Sequence, residues 1–147
     1  TTTTTTTTTT TIMKHQKQVY LVCLDGSDGS KECLVQLGKL LQDNDEVNLF
    51  TVANQHDEDC KAKAGNILVN GQENIHKVFP DVKVEHYIVF EKDAREAILD
   101  QARNLSVDFI IIGNRGLTGW KKMQLGSVSE YVVRHSECPV IVARPKE

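Results

Sequence analysis

Short apolar runs alternate along the chain with segments in which apolar residues recur every three or four positions. A short apolar run bounded by turn residues is typical of a buried strand, and the longer repeat is typical of an amphipathic helix. The pattern predicts strands at residues 19–24, 47–53, 82–90, 107–112 and 140–143. Because strands and helices alternate, we expect an α/β fold: a single doubly wound domain with a five-stranded parallel sheet, right-handed crossovers and helices on both faces.

Apolar spacing places the first two helices. Leucines at helical spacing within residues 34–41 predict a helix after Ser30, and the apolar stripe within residues 64–79 predicts a second one. Gly71 weakens this second helix because glycine loses much conformational freedom in a helix, and Pro80 ends it.

The third strand and third helix carry a different signal. Apolar and polar residues alternate within residues 82–90, which indicates a half-exposed strand at an edge of the sheet. Asp93 and Glu96 have the spacing of a capping box, with aspartate in place of the usual serine or threonine, and they predict the start of the third helix.

The start of the chain differs from the rest in composition. Residues 1–11 are all threonine. A segment without apolar residues buries too little surface to offset its ordering entropy. We therefore expect a disordered tail at residues 1–17 and one folded domain at residues 18–147, which is an ordinary length for a single domain.

Charge and cysteine usage narrow the class of protein. The net charge of −3 gives no general attraction to nucleic acid or to an anionic membrane, so neither is an expected partner. The four cysteines have no C-x-x-C spacing, and no apolar segment approaches the length of a membrane span. We expect reduced thiols and a cytoplasmic protein.

The most informative loop follows the fourth predicted strand. Gly113 and Gly116 open this loop, and Gly126 and Ser127 precede the last helix. Ligands of doubly wound folds bind beyond the carboxyl ends of the strands, where glycine lets main-chain N–H groups approach phosphate and a helix N-terminus adds further donors. The spacing is also compatible with plain helix capping, because Ser127 and Glu130 form a capping box and glycine is common in loops.

These residues carry a resemblance to the universal stress protein family. Gly113, Gly116, Gly126 and Ser127 match every fixed position of its nucleotide-binding pattern G-x2-G-x9-G-[ST], and the similarity covers residues 19–144. The matching neighbours are Leu24-Asp25-Gly26-Ser27, Gly126-Ser127-Val128, Arg134-His135 and Cys138-Pro139-Val140. The chain departs from the family at Glu91-Lys92-Asp93, where members often have another turn.

The resemblance implies a ligand, a partner and a set of site residues. The ligand is ATP, with Mg²⁺ or Mn²⁺ bridging its phosphates, and the partner is a second copy paired through Val140–Ala143. By position, Asp25 contacts the ribose and Val52 lines the adenine pocket, although Asp25 also suits a turn and Val52 a core. The residues that match the family's contacts to the ribose and phosphates are Gly113, Gly116, Gly126, Ser127, Val128 and Ser129.

Charged and aromatic residues in the same loop have open roles. Arg115, Lys121 and Lys122 either screen the phosphates or are solvated surface charges. Trp120 is either a lid or an apolar anchor, and the sequence does not decide between them.

Missing motifs limit the chemistry. The chain has no G-x-x-x-x-G-K-[ST], no G-x-G-x-x-G after the first strand, no H-E-x-x-H and no G-x-S-x-G, and its histidines form no metal spacing. We expect an ATP-binding regulatory protein of the stress response. The alternatives are a slow ATPase or nucleotidyl or phosphoryl transferase, and a dimerising interaction module without nucleotide.

Overall fold

The computed structural model describes residues 11–114 and 125–146. In these residues, strands and helices alternate in the order β1 (Val19–Cys23), α1 (Asp28–Leu40), β2 (Glu46–Val52), α2 (Glu58–His76), β3 (Lys83–Val89), α3 (Ala94–Asn104), β4 (Phe109–Gly113), α4 (Ser127–His135) and β5 (Val140–Ala143). No helix within them has the length and apolarity needed to cross a bilayer.

The strands form one parallel sheet in the order β3-β2-β1-β4-β5. The chain extends the sheet from β1 towards β3 on one side and from β4 to β5 on the other. The predicted doubly wound α/β fold is confirmed, and so is the placement of β3 at an edge. Strand order reverses between β1 and β4, and a crevice at their carboxyl ends is the expected ligand position in such a fold.

The sheet separates two apolar cores. Helices α1 and α2 cover one face, where Leu37 and Leu68 pack on Val22 and Leu49. Helices α3 and α4 cover the other face, where Ile98 and Val132 pack on Leu21, Phe50 and Ile110.

Gly71 has a packing role that its helix position alone does not indicate. A Cβ atom at Gly71 would lie 2.9 Å from Leu24 Cδ1 and 3.1 Å from Leu49 Cδ1. Glycine therefore lets α2 approach the sheet closely, which offsets its low helix propensity.

Several helix boundaries differ from the prediction because side chains cap the helices. Helix α1 begins at Asp28, ahead of Ser30, because the Ser27 hydroxyl accepts a hydrogen bond from the Ser30 N–H at 3.3 Å. Helix α2 begins at Glu58, before its apolar stripe, since Asp57 caps it.

The capping box predicted for α3 is only half formed. Asp93 is the N-cap residue and accepts from the Arg95 N–H at 3.0 Å. Glu96 instead accepts a hydrogen bond from the Tyr131 hydroxyl of α4, so the predicted reciprocal bond is replaced by a contact between two helices.

The N-terminal segment contacts the domain near β2. His15 Nε2 lies 2.9 Å from Asp45 Oδ1, and Lys17 Nζ lies 3.2 Å from Glu46 Oε2. Residues 1–10 of the predicted tail lie outside the described residues, and disorder through residue 17 stays a prediction.

Candidate functional site

A cavity of about 530 Å³ lies at the carboxyl edge of the sheet, where strand order reverses. The ends of β1, β2 and β4 form its floor, and the first turns of α1, α3 and α4 form its walls. It brings together seven residues that the sequence singled out, namely Asp25, Val52, Gly113, Gly126, Ser127, Val128 and Ser129. Arg115 and Gly116 lie outside the described residues, as do Trp120, Lys121 and Lys122.

Asp25 belongs to a hydrogen-bonded turn after β1. Its Oδ1 accepts from the Ser27 N–H at 3.0 Å and from the Ser30 hydroxyl at 2.6 Å. Ser30 Oγ in turn accepts from the main-chain N–H groups of Asp25 and Gly26, and Gly26 has a φ of +82° that favours glycine. Asp25 is therefore both a turn residue and a cavity residue, with its carboxylate held in place by α1.

The start of α4 differs from the capping box that its sequence contains. Gly126 is the N-cap residue, Ser127 is already helical, and no side chain of residues 11–114 or 125–146 caps the helix. Glu130 pairs with Arg134 at 2.9 Å rather than with the N-cap. The capping interpretation of Ser127 is therefore wrong, because the residue before it occupies the cap position.

This uncapped start leaves main-chain donors at the cavity. The first hydrogen bond of the α4 helical ladder runs from the Glu130 N–H to the Gly126 carbonyl. Helix geometry therefore gives the N–H groups of Ser127, Val128 and Ser129 no acceptor within the helix. All three residues line the cavity, so an anion there meets a helix N-terminus with its partial positive charge.

The side chains of the first turn have different roles. Ser129 is 2 % exposed, and its hydroxyl donates to the Gly126 carbonyl at 3.0 Å. Ser127 is exposed at the cavity rim, and its hydroxyl makes no hydrogen bond within the described residues. Ser127 is thus the hydroxyl of this turn that is available to a ligand.

The main-chain N–H of Gly126 is used inside the protein. It donates to Asn114 Oδ1 at 2.8 Å. Gly126 lines the cavity, but the amides open to a ligand are those of the three following residues.

Gly113 is small for a reason other than ligand approach. A Cβ atom there would lie 2.8 Å from the main-chain carbonyl carbon of Gly29 and 2.9 Å from its oxygen. Gly113 therefore lets the end of β4, in the floor of the cavity, pack against the first turn of α1, in its wall.

The remaining walls combine apolar and hydroxyl side chains. Phe50, Val52 and Ile98 supply apolar surface, while Ser27 and Thr51 supply hydroxyl groups. No lysine, arginine or histidine is found among the described lining residues. The N-terminus of α4 gives this part of the cavity a partial positive charge. The Cys23 thiol also lines the cavity, and burial raises its pKa far above the ordinary value, which keeps it neutral.

Sequence reasoning missed Ser27, Ser30, Thr51 and Asn114. The serines follow the Asp25-Gly26 turn at N-cap spacing, which is a usable signal. Asn114 is 5 % exposed, and its burial depends on residues distant in sequence, so no local pattern indicates it.

Comparison with known proteins supports the fold and the resemblance. The sequence model of the Universal stress protein family matches residues 18–144. Universal stress protein YxiE of Bacillus subtilis is 30% identical in an alignment of 146 positions, which covers 84% of this chain and 97% of that protein.

Two solved structures share the architecture. Protein MJ0577 of Methanocaldococcus jannaschii superposes with a TM-score of 0.70 at 30% identity, covering 88% of this chain and 97% of its own. A universal stress protein family protein of Arabidopsis thaliana, solved with AMP bound, gives a TM-score of 0.68 at 20% identity, covering 88% and 92%. At this lower identity the similarity shows the fold alone.

Proposed function

The chain belongs to the universal stress protein family, and from this premise we propose that its cavity binds ATP and that the protein is a nucleotide-dependent regulator in the stress response. The observation that supports the proposal most is the uncapped start of α4. The three N–H groups of Ser127–Ser129 share one cavity with Asp25 and Val52. A nucleotide carries complementary groups in the same combination: anionic phosphates, sugar hydroxyls and a flat apolar base.

The ligands of structural neighbours fit this assignment. The Arabidopsis thaliana protein holds AMP, and other universal stress proteins of this fold are solved with cAMP and with dAMP. These ligands share an adenine base, a ribose-type sugar and a phosphate. The cavity volume of about 530 Å³ is within the range of roughly 300–1,000 Å³ that is usual for small-molecule sites.

Each part of ATP has a matching group in the cavity. The phosphates accept from the amides of Ser127, Val128 and Ser129 and from the Ser127 hydroxyl, and each such charge-assisted hydrogen bond contributes about 1.5–3 kcal/mol. The Asp25 carboxylate accepts from a ribose hydroxyl, and Val52 packs against the adenine ring. Gly126 leaves room for the phosphates, and Gly113, which is kept small by its packing against Gly29, lines the cavity beside the ribose.

A divalent cation completes the ligand as a partner of its phosphates. The described residues contain no group of three His, Cys, Asp or Glu side chains placed to hold a metal ion. We therefore place Mg²⁺ or Mn²⁺ on the phosphate oxygens, as is usual for nucleotide-bound magnesium, rather than in a protein cage.

The position of β5 supports the proposal of a homodimer. Val140–Ala143 is the outer strand beside β4, and an exposed strand edge readily pairs with a second copy. The four cysteines are free thiols, which fits a cytoplasmic protein. We propose a cytoplasmic homodimer whose pairing or partner choice responds to the bound nucleotide.

The direct test is mass analysis of nucleotide released from gently purified and then denatured protein. We expect ATP at about one equivalent per chain from the wild type and little from Gly126→Asp, whose carboxylate opposes the phosphates. Recovery of no adenine nucleotide, together with no heat on titration with ATP, would instead favour a nucleotide-free module. Repeated turnover of labelled ATP that Ser127→Ala abolishes would favour an enzyme.

A further inference from the structure

Asn114 joins three parts of the fold at the edge of the cavity. It follows β4 directly and is 5 % exposed. Its side-chain Oδ1 accepts from the Gly126 N–H at 2.8 Å, and its own N–H donates to the Ala143 carbonyl at 2.9 Å. One residue thus ties the end of β4 to the end of β5 and to the N-cap residue of α4.

The hydrogen bond from Gly126 to Asn114 helps to position the start of α4. Gly126 has no side chain with which to cap α4, and among the described residues no other side chain caps this helix. The buried amide oxygen of Asn114 fixes the N-cap residue, and the N–H groups of Ser127, Val128 and Ser129 follow it within a single helical turn. The Asn114 oxygen is therefore one of the contacts that set their position in the cavity, beside the packing of α4 on the core and the Ser129 hydroxyl bond to the Gly126 carbonyl.

The Asn114 side chain accepts this bond without carrying a charge. An aspartate at position 114 has the same shape and an oxygen in the same place, but it adds a negative charge one hydrogen bond away from the cap of α4. A buried charge near a polyphosphate interacts strongly because little water screens it. Asparagine supplies the bond without that repulsion.

We propose that Asn114 is a positioning residue for the nucleotide phosphates: its side chain sets the N-terminus of α4 so that three main-chain amides face the phosphate position, without itself contacting the ligand. The inference rests on the proposed function. It predicts that substitution of Asn114 weakens binding more as the ligand carries more phosphates, and that adenosine binding changes little.

The test compares ATP, AMP and adenosine binding by calorimetry in wild type, Asn114→Ala and Asn114→Asp. Asn70→Ala, an exposed asparagine of α2, is the matched control. If α4 shifts in Asn114→Ala and one amide–phosphate hydrogen bond is lost as a result, the ATP Kd rises roughly tenfold, the AMP Kd rises less, and the adenosine Kd changes less than twofold. Amide hydrogen exchange at Gly126 should accelerate in Asn114→Ala and stay slow in Asn114→Asp.

The outcomes separate this inference from the proposed function. A wild type that binds none of the ligands overturns both. A wild type that binds ATP, with Asn114→Ala equally tight or equally weakened for all three ligands, overturns only the positioning role. If Asn114→Ala does not fold, Asn114→Asp decides: its loss of ATP affinity must exceed its loss of adenosine affinity, and equal losses contradict the inference.

Discussion

Gly113 and Gly29 pack main chain against main chain, with space for a side chain on one of them only. A Cβ atom at Gly113 would lie 2.8 Å from the Gly29 carbonyl carbon, whereas a Cβ atom at Gly29 would find its nearest neighbours at 3.5 Å. The first distance is a clash with rigid main chain, and the second is ordinary van der Waals contact. The contact holds the floor of the cavity against α1.

This asymmetry predicts opposite results for two alanine substitutions. Gly113→Ala should lower the free energy of unfolding by about 1–3 kcal/mol, because the β4 end must move away from α1. Gly29→Ala should be neutral or stabilising by up to about 1 kcal/mol, since alanine favours the helix. Urea denaturation of both variants measures the difference, and equal effects would contradict the packing described here.

A similar pair exists within α2. Gly71→Ala forces a Cβ atom to 2.9 Å from Leu24 Cδ1, while a Cβ atom at Gly65 meets nothing within 4 Å. We expect Gly71→Ala to destabilise by up to about 1 kcal/mol, because two leucine methyl groups must shift, and Gly65→Ala to stabilise by about 0.5–1 kcal/mol. Thermal unfolding of the two variants tests this, and a stabilised Gly71→Ala would show that α2 has room to shift.

Gly126 makes stability and ligand binding compete. Its φ of −65° and ψ of 157° suit any residue, so an aspartate there can cap α4. Gly126→Asp should raise the free energy of unfolding by a few tenths of a kcal/mol, yet weaken ATP binding at least tenfold because its carboxylate occupies the phosphate position. The matched variant Gly126→Asn caps without a full charge and should lose less affinity. Unchanged ATP affinity in both would exclude the α4 amides from the site.

The buried thiols predict a pH response. Burial, with smaller contributions from Asp25 and Glu32, raises the pKa of Cys33 from 9.0 to about 12. A raised folded-state pKa favours the neutral thiol, so this contribution to stability is complete below pH 9 and is lost as pH rises towards 12. In the folded protein at pH 8, alkylation followed by peptide mass analysis should find Cys33 far slower than the half-buried Cys60. Comparable rates at the two cysteines would contradict the burial of Cys33.

Sequence patterns predicted the architecture because its signals are local. The five apolar runs correspond to β1–β5, and the half-polar character of residues 82–90 correctly indicated an edge strand. The loops after β1 and β4 could be located in advance because ligands of such folds bind beyond the carboxyl ends of the strands. Asp25 and Val52 are assigned to the site through the resemblance to the universal stress protein family.

The features that sequence reasoning missed depend on contacts between distant segments. Glu96 has capping-box spacing, but Tyr131, 35 residues later, supplies a competing hydroxyl. Asn114 is buried only because α4 and β5 return to the end of β4. Gly113 fits a phosphate-binding pattern, whereas its packing requirement comes from Gly29, which no spacing rule connects to it.

The central claim is that the first-turn amides of α4 receive the phosphates of ATP. Titration of ¹⁵N-labelled protein with Mg·ATP, followed by amide chemical shifts, tests it most directly. We predict the largest shifts at Ser127, Val128 and Ser129, with smaller ones at Asp25 and Val52, and a marked loss of the α4 shifts when adenosine replaces ATP. Saturable ATP binding that leaves those three amides unshifted, or shifts them equally with adenosine, would contradict the claim.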